Sequence, residues 1–427
     1  GLYFGQLAYY SNKGSITSDD DSKSSITTAV IGIHGSGRDA GTYLCAMNAA
    51  VEEGLSLGTD DKLVSRKAGV DSLTGGATIM HRRGGKNARE MRSSKIDKEN
   101  VLVVAPWFLA PEDGLPTSTS PLPFLFWSDT EPVAHTFRYG AESIGINVDG
   151  GKNGQVATIS SFGAMDALVE TLCDKSRYPN LERIVVAGHS AGGQFVQRWA
   201  LSSDSWCFGD DDYRGEGARG ASTSDLPHIR AVAANPRSYA YLDDRRFLAA
   251  NGDTISHDNT LTPFDDLELR RPNESERSGG CRIFNEYEWG VEENPDVPAP
   301  YVSTNLNKLL SQGGISKLFC RYASRDVVYL SGERDVVHLG DQRMGSLTCH
   351  EDGYQGPSRR ERSERFFASL QSLGKEVGFC DEGDAVVDSI KVHERMLVRN
   401  VGHDHGLIFQ SKEGRESMFR EDIMALL

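Results

Sequence analysis

The 427-residue sequence predicts an α/β fold: a mostly parallel central sheet flanked by helices, with insertions that cap one sheet edge. Three observations predict it. Short β-branched apolar runs recur along the chain, as strands buried on both faces require. Segments of helical spacing lie between them, so the connections can cross over as β-α-β units. One run, 184–187, ends in Gly188-His189-Ser190-Ala191-Gly192, a G-x-S-x-G pattern that passes at once into a segment able to form a helix.

Residues 1–28 are polar and read as loop. The first strand is Ala29-Val30-Ile31-Gly32-Ile33, ending in His34-Gly35-Ser36-Gly37. Two readings of this end compete. Gly35-x-Gly37-x-x-Ala40 matches a permissive dinucleotide fingerprint, with Asp60 and Asp61 at a suitable distance. Against it, the helical pattern from Gly41 to Glu53 runs into polar sequence, not into a strand bearing the acid. His34-Gly35 after a strand also suits an oxyanion loop, and that reading is preferred.

Residues 54–100 are Gly-, Lys- and Arg-rich and read as surface loop, and 101–106 is a strand stopped by Pro106. Beyond it come a Pro/Ser/Thr loop from Pro111 to Pro123 and two aromatic clusters, Trp107-Phe108 and Phe124 to Trp127. Ile159 to Lys175 has helical spacing and leads into the strand before Ser190. Further strands are 229–235, 326–332 and 391–398; a helix spans 359–373, and an amphipathic helix closes the chain. Two irregular blocks, 202–227 and 237–303, lack the periodicity of independent folds. They read as cap or lid insertions within a single domain, 1–427, the second carrying an aromatic cluster of Phe284, Tyr287, Trp289 and Tyr301.

Composition excludes some functions. A net charge of -15 argues against nucleic acid as the main partner, because phosphate binding needs a basic surface. No apolar run is long enough to span a bilayer. The chain opens on Gly1 without a signal-peptide apolar segment, as a processed chain would. Seven cysteines without a C-x-x-C pair exclude the common zinc patterns and leave at least one thiol free. Cys173 reads as plain core, whereas Cys207, Cys281, Cys320, Cys349 and Cys380 lie where one or two disulfides are expected. With the sequon Asn273-Glu274-Ser275, they fit secretion without deciding the compartment.

A serine hydroxyl needs an adjacent base, itself oriented by an acid, to attack near neutral pH. On a sheet of this kind the three follow in the order Ser, Asp/Glu, His. Ser190 is the nucleophile in that order. Asp335, just past the turn at Gly332, is the preferred acid, with Glu333 the runner-up. His403, after the last strand, is the preferred base, with His405 and His338 as alternatives. The backbone N–H of Ala191 and one from the Gly35-Ser36 loop, that of Ser36 first, would form an oxyanion hole. His189 reads foremost as a packing residue beside the nucleophile. His34, His189 and Trp289 are candidate substrate contacts. Nothing in this chemistry calls for a metal or cofactor.

The residues that carry this reading resemble the α/β-hydrolase superfamily, in a branch of microbial and fungal serine hydrolases. They are His34-Gly35-Ser36-Gly37, Ser160-Ser161-Phe162, Val186 to Gln194, Asn235-Pro236-Arg237-Ser238-Tyr239, Gly332-Glu333-Arg334-Asp335 and Gly402-His403-Asp404. The resemblance spans 29–409 and implies fold and triad far more than a reaction. The acidic Cys207–Asp212 and basic Arg82–Arg92 segments depart from it and leave the cap open. The expected activity is cleavage of a carboxylic ester or lactone through an acyl-enzyme. The alternatives are a lyase or acyltransferase using the same triad, and a catalytically silent ligand-binding protein. The polarity of both insertions favours a pocket for a small, partly polar substrate over an interfacial lid.

Overall fold

The computed structural model describes residues 5–18, 21–56, 98–114, 123–128, 136–147, 156–205, 207, 226–249, 263–278, 283–295, 297, 299–337, 354–378, 380 and 393–420. Eleven strands and eight α-helices lie within them. The strands are β1 (Ala8–Ser11), β2 (Thr28–Ile33), β3 (Val101–Trp107), β4 (Ile146–Asn147), β5 (Val156–Ala157), β6 (Arg183–His189), β7 (His228–Ala234), β8 (Arg246–Ala249), β9 (Leu267–Arg270), β10 (Asp326–Gly332) and β11 (Glu394–Val398). The helices are α1 (Ala40–Ser56), α2 (Ser161–Cys173), α3 (Ala191–Ser202), α4 (Glu274–Ser278), α5 (Pro300–Ala323), α6 (Arg359–Val377), α7 (His405–Gln410) and α8 (Lys412–Phe419).

Seven strands form one sheet in the order β1-β3-β2-β6-β7-β10-β11, parallel except for β1. Alternate side chains enter two separate cores, which is why the strands read as unbroken apolar runs. Ile31, Ile184, Val186, Ala231 and Tyr329 meet α2, α3, α5 and α6 on one face. Val30, Val185, Val232 and Leu330 meet α1, α7 and α8 on the other. This is the α/β-hydrolase fold. Among the described residues, no helix is long and apolar enough to cross a membrane.

Helix starts follow capping chemistry. Ser160 accepts from the Phe162 N–H at α2, Ser358 accepts from the Glu361 N–H at α6, and Asp404 accepts from the Leu407 N–H at α7. The sequon residue Asn273 is exposed at the start of α4, its Oδ1 accepting from the Glu276 N–H at 2.9 Å.

The structure corrects three expectations. Residues 8–11 are not loop: they form β1, antiparallel to β3, a four-residue pairing too short to show as alternation. Cys173 is not plain core, since it is bonded to Cys207 and ties the end of α2 to the chain beyond α3. A second disulfide joins Cys320 on α5 to Cys380, and Cys45 is an exposed free thiol. Thirdly, the expected 284–301 aromatic cluster is divided. Tyr287 enters the main core, Phe284 packs with Leu248 and Tyr354, and Tyr301 lies against Phe162 and bonds Asp166. Helix α5 had no sequence signal because Gly313 and Gly314 interrupt it with non-helical backbone. The expected loop over most of 54–100, the bulk of 202–227, Asp60, Asp61, Cys281, Cys349 and His338 lie outside the described residues.

The described part of 237–303 is stitched to α3 by polar side chains. Gln197 exchanges hydrogen bonds with the Ala240 backbone, and Gln194 donates to Ser238 Oγ at 2.8 Å. Arg198, fully buried, donates to the carbonyls of Ser238 and Glu288. Buried Arg246, Arg321, Arg325 and Arg362 likewise donate to backbone carbonyls. Each gives a buried acceptor a charged donor, a strong way to satisfy loop backbone out of reach of water.

A carboxylate cluster on α2 makes stability depend on pH. Buried Asp166 accepts from Trp199 Nε1 and Ser203 Oγ, both at 2.7 Å, and from the Tyr301 hydroxyl. One turn on, burial and then the Asp166 and Asp204 carboxylates push Glu170 up from 4.5 to about 7. A carboxyl group with a raised folded pKa holds its proton more tightly in the folded chain. Its stabilising contribution is therefore present below about pH 4.5 and lost as pH rises through about 7. Glu170→Gln should accordingly flatten the decline of Tm across this window relative to wild type; superimposable Tm–pH curves would contradict it.

Candidate active site

The site is built where β6 turns into α3. Ser190 has φ 59° and ψ -116°, a positive-φ conformation that costs a non-glycine residue on the order of 1–3 kcal/mol. Its N–H donates to the Ala234 carbonyl at 3.0 Å, and its carbonyl accepts the Gln194 N–H at 3.0 Å. Glycines permit the turn. A Cβ on Gly192 would fall on the Ile33 and His34 carbonyls, and one on Gly188 would fall on the Gly192 carbonyl. Ala191, the first residue of α3, presents an N–H that no helical carbonyl reaches.

The residues expected as acid and base meet from two neighbouring strand ends. Asp335 follows β10, is 1% exposed, and accepts from His403 Nδ1 through Oδ2 at 2.8 Å. Its Oδ1 faces Arg359 Nη1 at 3.6 Å, while its backbone bonds the Gly332 carbonyl and the Arg360 N–H. His403 follows β11, its side chain about a third exposed. Its ring packs on His189 with centroids 4.4 Å apart, so His403 lies against the residue preceding Ser190. Glu333 is engaged elsewhere: Oε2 accepts from the Asn400 N–H at 2.8 Å. His405 stacks on Tyr43 at 4.4 Å, away from the acid.

The loop after β2 lies over the elbow. Gly35 closes a turn by accepting the Arg38 N–H, and a Cβ built on it would stand 3.8 Å from that of Ser190. Ser36 is exposed at the tip of this turn. Tyr43, on α1, brings its hydroxyl to 3.5 Å from the His189 carbonyl and close beside Gly35. Burial pushes the Tyr43 phenol up, so it is a neutral donor.

Of the three expected substrate contacts, His34 and His189 are buried. His34 is fully buried, Nδ1 bonded to the Gly35 carbonyl at 2.8 Å and Nε2 accepting the Phe108 N–H at 3.0 Å. Both nitrogens are spent on fixing the loop, and burial lowers its pKa to about 4. His189 is 4% exposed and paired with Asn235. Burial, then the nearby His403, His405 and Arg359, hold it well below the usual histidine value, hence neutral. Trp289 sits in the tight turn at Gly290, its carbonyl accepting from Tyr241 and Arg246, contacts that anchor the insertion.

Three residues at the site carried no role in the sequence reading. Tyr43 and Arg359 sit within helical patterns where nothing marks them, and Asn235 closes a strand. Among the described residues, no group of three or more His, Cys, Asp or Glu side chains is arranged to hold a metal.

No protein-family model and no curated protein sequence matches the chain. Poly(aspartic acid) hydrolase-1 from Sphingomonas sp. KT-1 is similar over 90% of this chain and 86% of its own, with 14% identity and a TM-score of 0.41. For LpqC, a poly(3-hydroxybutyrate) depolymerase from Bordetella parapertussis, the coverage is 89% and 77%, the identity 13% and the TM-score 0.41. The siderophore hydrolase EstB from Aspergillus nidulans matches over 99% and 97%, at 11% identity and a TM-score of 0.30. Likeness this distant carries no argument about the substrate or the site.

Proposed function

We propose that the chain is a serine hydrolase that cleaves a carboxylic ester or lactone, with Ser190 as nucleophile, His403 as base and Asp335 as orienting acid. The observation that carries this reading is the 2.8 Å hydrogen bond between His403 and a buried Asp335, beside an elbow that holds Ser190 at positive φ. Asp335 keeps the Nδ1–H tautomer of His403, which leaves Nε2 to take a proton. Ser190 Oγ attacks the acyl carbon as its proton passes to Nε2. The tetrahedral oxyanion is held by the N–H groups of Ala191 and Ser36. Collapse expels the alcohol, which takes the proton from Nε2, and water then repeats the sequence on the acyl-enzyme. Exposure of His403 favours hydrolysis over transfer, because solvent water reaches the base.

The stitched part of 237–303 serves in this reading as a fixed wall of the substrate pocket. The polarity of the insertions 202–227 and 237–303 favours a small, partly polar substrate. The two disulfides and the exposed sequon fit an oxidising, secretory environment. The test is intact-mass labelling with a fluorophosphonate on wild type and Ser190→Ala. One adduct on wild type, absent from the variant, is expected. A folded wild type without an adduct would remove Ser190 as an activated nucleophile and favour a silent binding protein.

A further inference from the structure

Asn235 ends β7 with φ 43°, in the left-handed region that Asn tolerates better than most residues. It is 1% exposed, and its N–H donates to the Leu330 carbonyl on β10 at 2.9 Å. Its side chain touches three further segments. Oδ1 accepts the Gly332 N–H at 2.8 Å, three residues before Asp335. Nδ2 donates to the Gly402 carbonyl at 3.2 Å, one residue before His403. The same nitrogen lies 3.3 Å from His189 Nε2, one residue before Ser190. The bond from Gly332 defines which end of the amide is oxygen, so Nδ2 must be the donor toward both other partners. His189 Nε2 then accepts, which requires a neutral ring.

We propose that Asn235 is a positioning residue that sets the spacing of the three loops carrying Ser190, Asp335 and His403. The inference rests on the triad reading above. Asn235 touches no reacting atom; it acts through the backbone of the acid and base loops and through the ring of His189, on which His403 rests. The backbones of these two loops come too close for any side chain between them, since a Cβ on Gly332 would press on the Val401 and Gly402 carbonyls. One buried amide therefore takes the place of a packed core at this junction. Displacement of a catalytic group by about 1 Å costs on the order of 100-fold in rate, so a lost brace is felt in turnover. Around His189 stand His403 and His405, Arg359 from the start of α6, and the Tyr43 hydroxyl from α1. No carboxylate among these invites a second imidazolium beside the base.

Two variants test this. Asn235→Gly accepts the positive φ without strain and deletes all three side-chain bonds. Asn235→Asp keeps the acceptor for Gly332 but turns an oxygen toward the Gly402 carbonyl and His189. For each, and for wild type, kcat and KM on p-nitrophenyl acetate are measured across pH, together with the low-field proton resonance of His403 Nδ1–H. Asn235→Gly is expected to lose about 100-fold in kcat with KM little changed, and to broaden or lose the low-field proton. Asn235→Asp should add a second ionisation to the pH–rate profile as His189 gains a proton. Should Asn235→Gly fail to fold, Asn235→Asp carries the test. Wild-type kcat and an unaltered low-field proton in folded variants, even with a lowered Tm, would reduce Asn235 to a structural role and overturn the proposal. If wild type neither turns over ester nor labels, the nucleophile reading falls by itself, and the low-field proton still decides whether Asn235 braces the acid and base loops.

Discussion

Asp335→Asn should lower kcat on a carboxylic ester about 10⁴-fold while KM stays close to wild type. An asparagine amide can offer His403 Nδ1 a donor where the carboxylate offers only acceptors. The imidazole then adopts the other tautomer, and Nε2 no longer takes the Ser190 proton. Burial sharpens the effect. Asp335 is 1% exposed and its second oxygen faces Arg359 at 3.6 Å, so the substitution also removes the negative charge that offsets this guanidinium's local positive charge beside the base. That local positive charge would further disfavour the imidazolium of the transition state. Steady-state kinetics, with the fluorophosphonate labelling rate as a second reading, check this. A fall of under tenfold would mean that another acid orients His403. Glu333 is poorly placed for that, being bonded to the Asn400 N–H.

Gly192→Ala is expected to destabilise the folded chain by about 3 kcal/mol and to abolish serine labelling even in the fraction that remains folded. The added methyl would collide with the Ile33 and His34 carbonyls, backbone atoms that cannot swing aside as a flexible side chain does. Relief requires α3 to lift from the end of β2, which separates the Ala191 N–H from the Gly35-Ser36 loop. Thermal melting and labelling are read together. A variant with wild-type Tm and wild-type labelling would contradict the close approach on which the elbow depends. Gly414→Ala, far from the elbow but equally crowded by the Ile408 and Phe409 backbone, would serve as a control that loses stability without this specific loss of reactivity.

Much of the fold was legible because the parallel strands are buried on both faces, which writes them into the sequence as short continuous apolar runs. The helices α1, α2 and α6 were legible through their helical spacing, and α3 through its place directly after the elbow. Strand β1 was not, because its pairing is made by backbone groups along only four residues. Helix α5 was hidden by Gly313 and Gly314, where local sequence argues against the helix that tertiary packing supports. At the site, Ser190, Asp335 and His403 were named from their places after strand ends. His34 was assigned to the substrate because its position next to the elbow was visible, whereas the Phe108 N–H that occupies its outer nitrogen was not. Asn235 illustrates the same limit. A side chain that braces three loops from separate parts of the chain leaves no local pattern, since two of its partners are backbone groups, the same in every sequence, and the third, His189, lies 46 residues away.

The buried arginines have a consequence outside the core. Among the described residues, seven arginines and Lys23 are buried, against the four carboxylates of Asp166, Glu288, Asp335 and Glu361. Among the described residues, cations are thus turned inward onto carbonyl oxygens in excess of anions, so the surface these residues present is more acidic than their own sum of charges, in a chain whose net charge is already -15. In solution such a molecule migrates as a strong polyanion, repels its own copies at low ionic strength and gathers a cloud of counter-cations. Neutral or cationic molecules approach it unhindered, while polyanions must be screened by salt before they can approach.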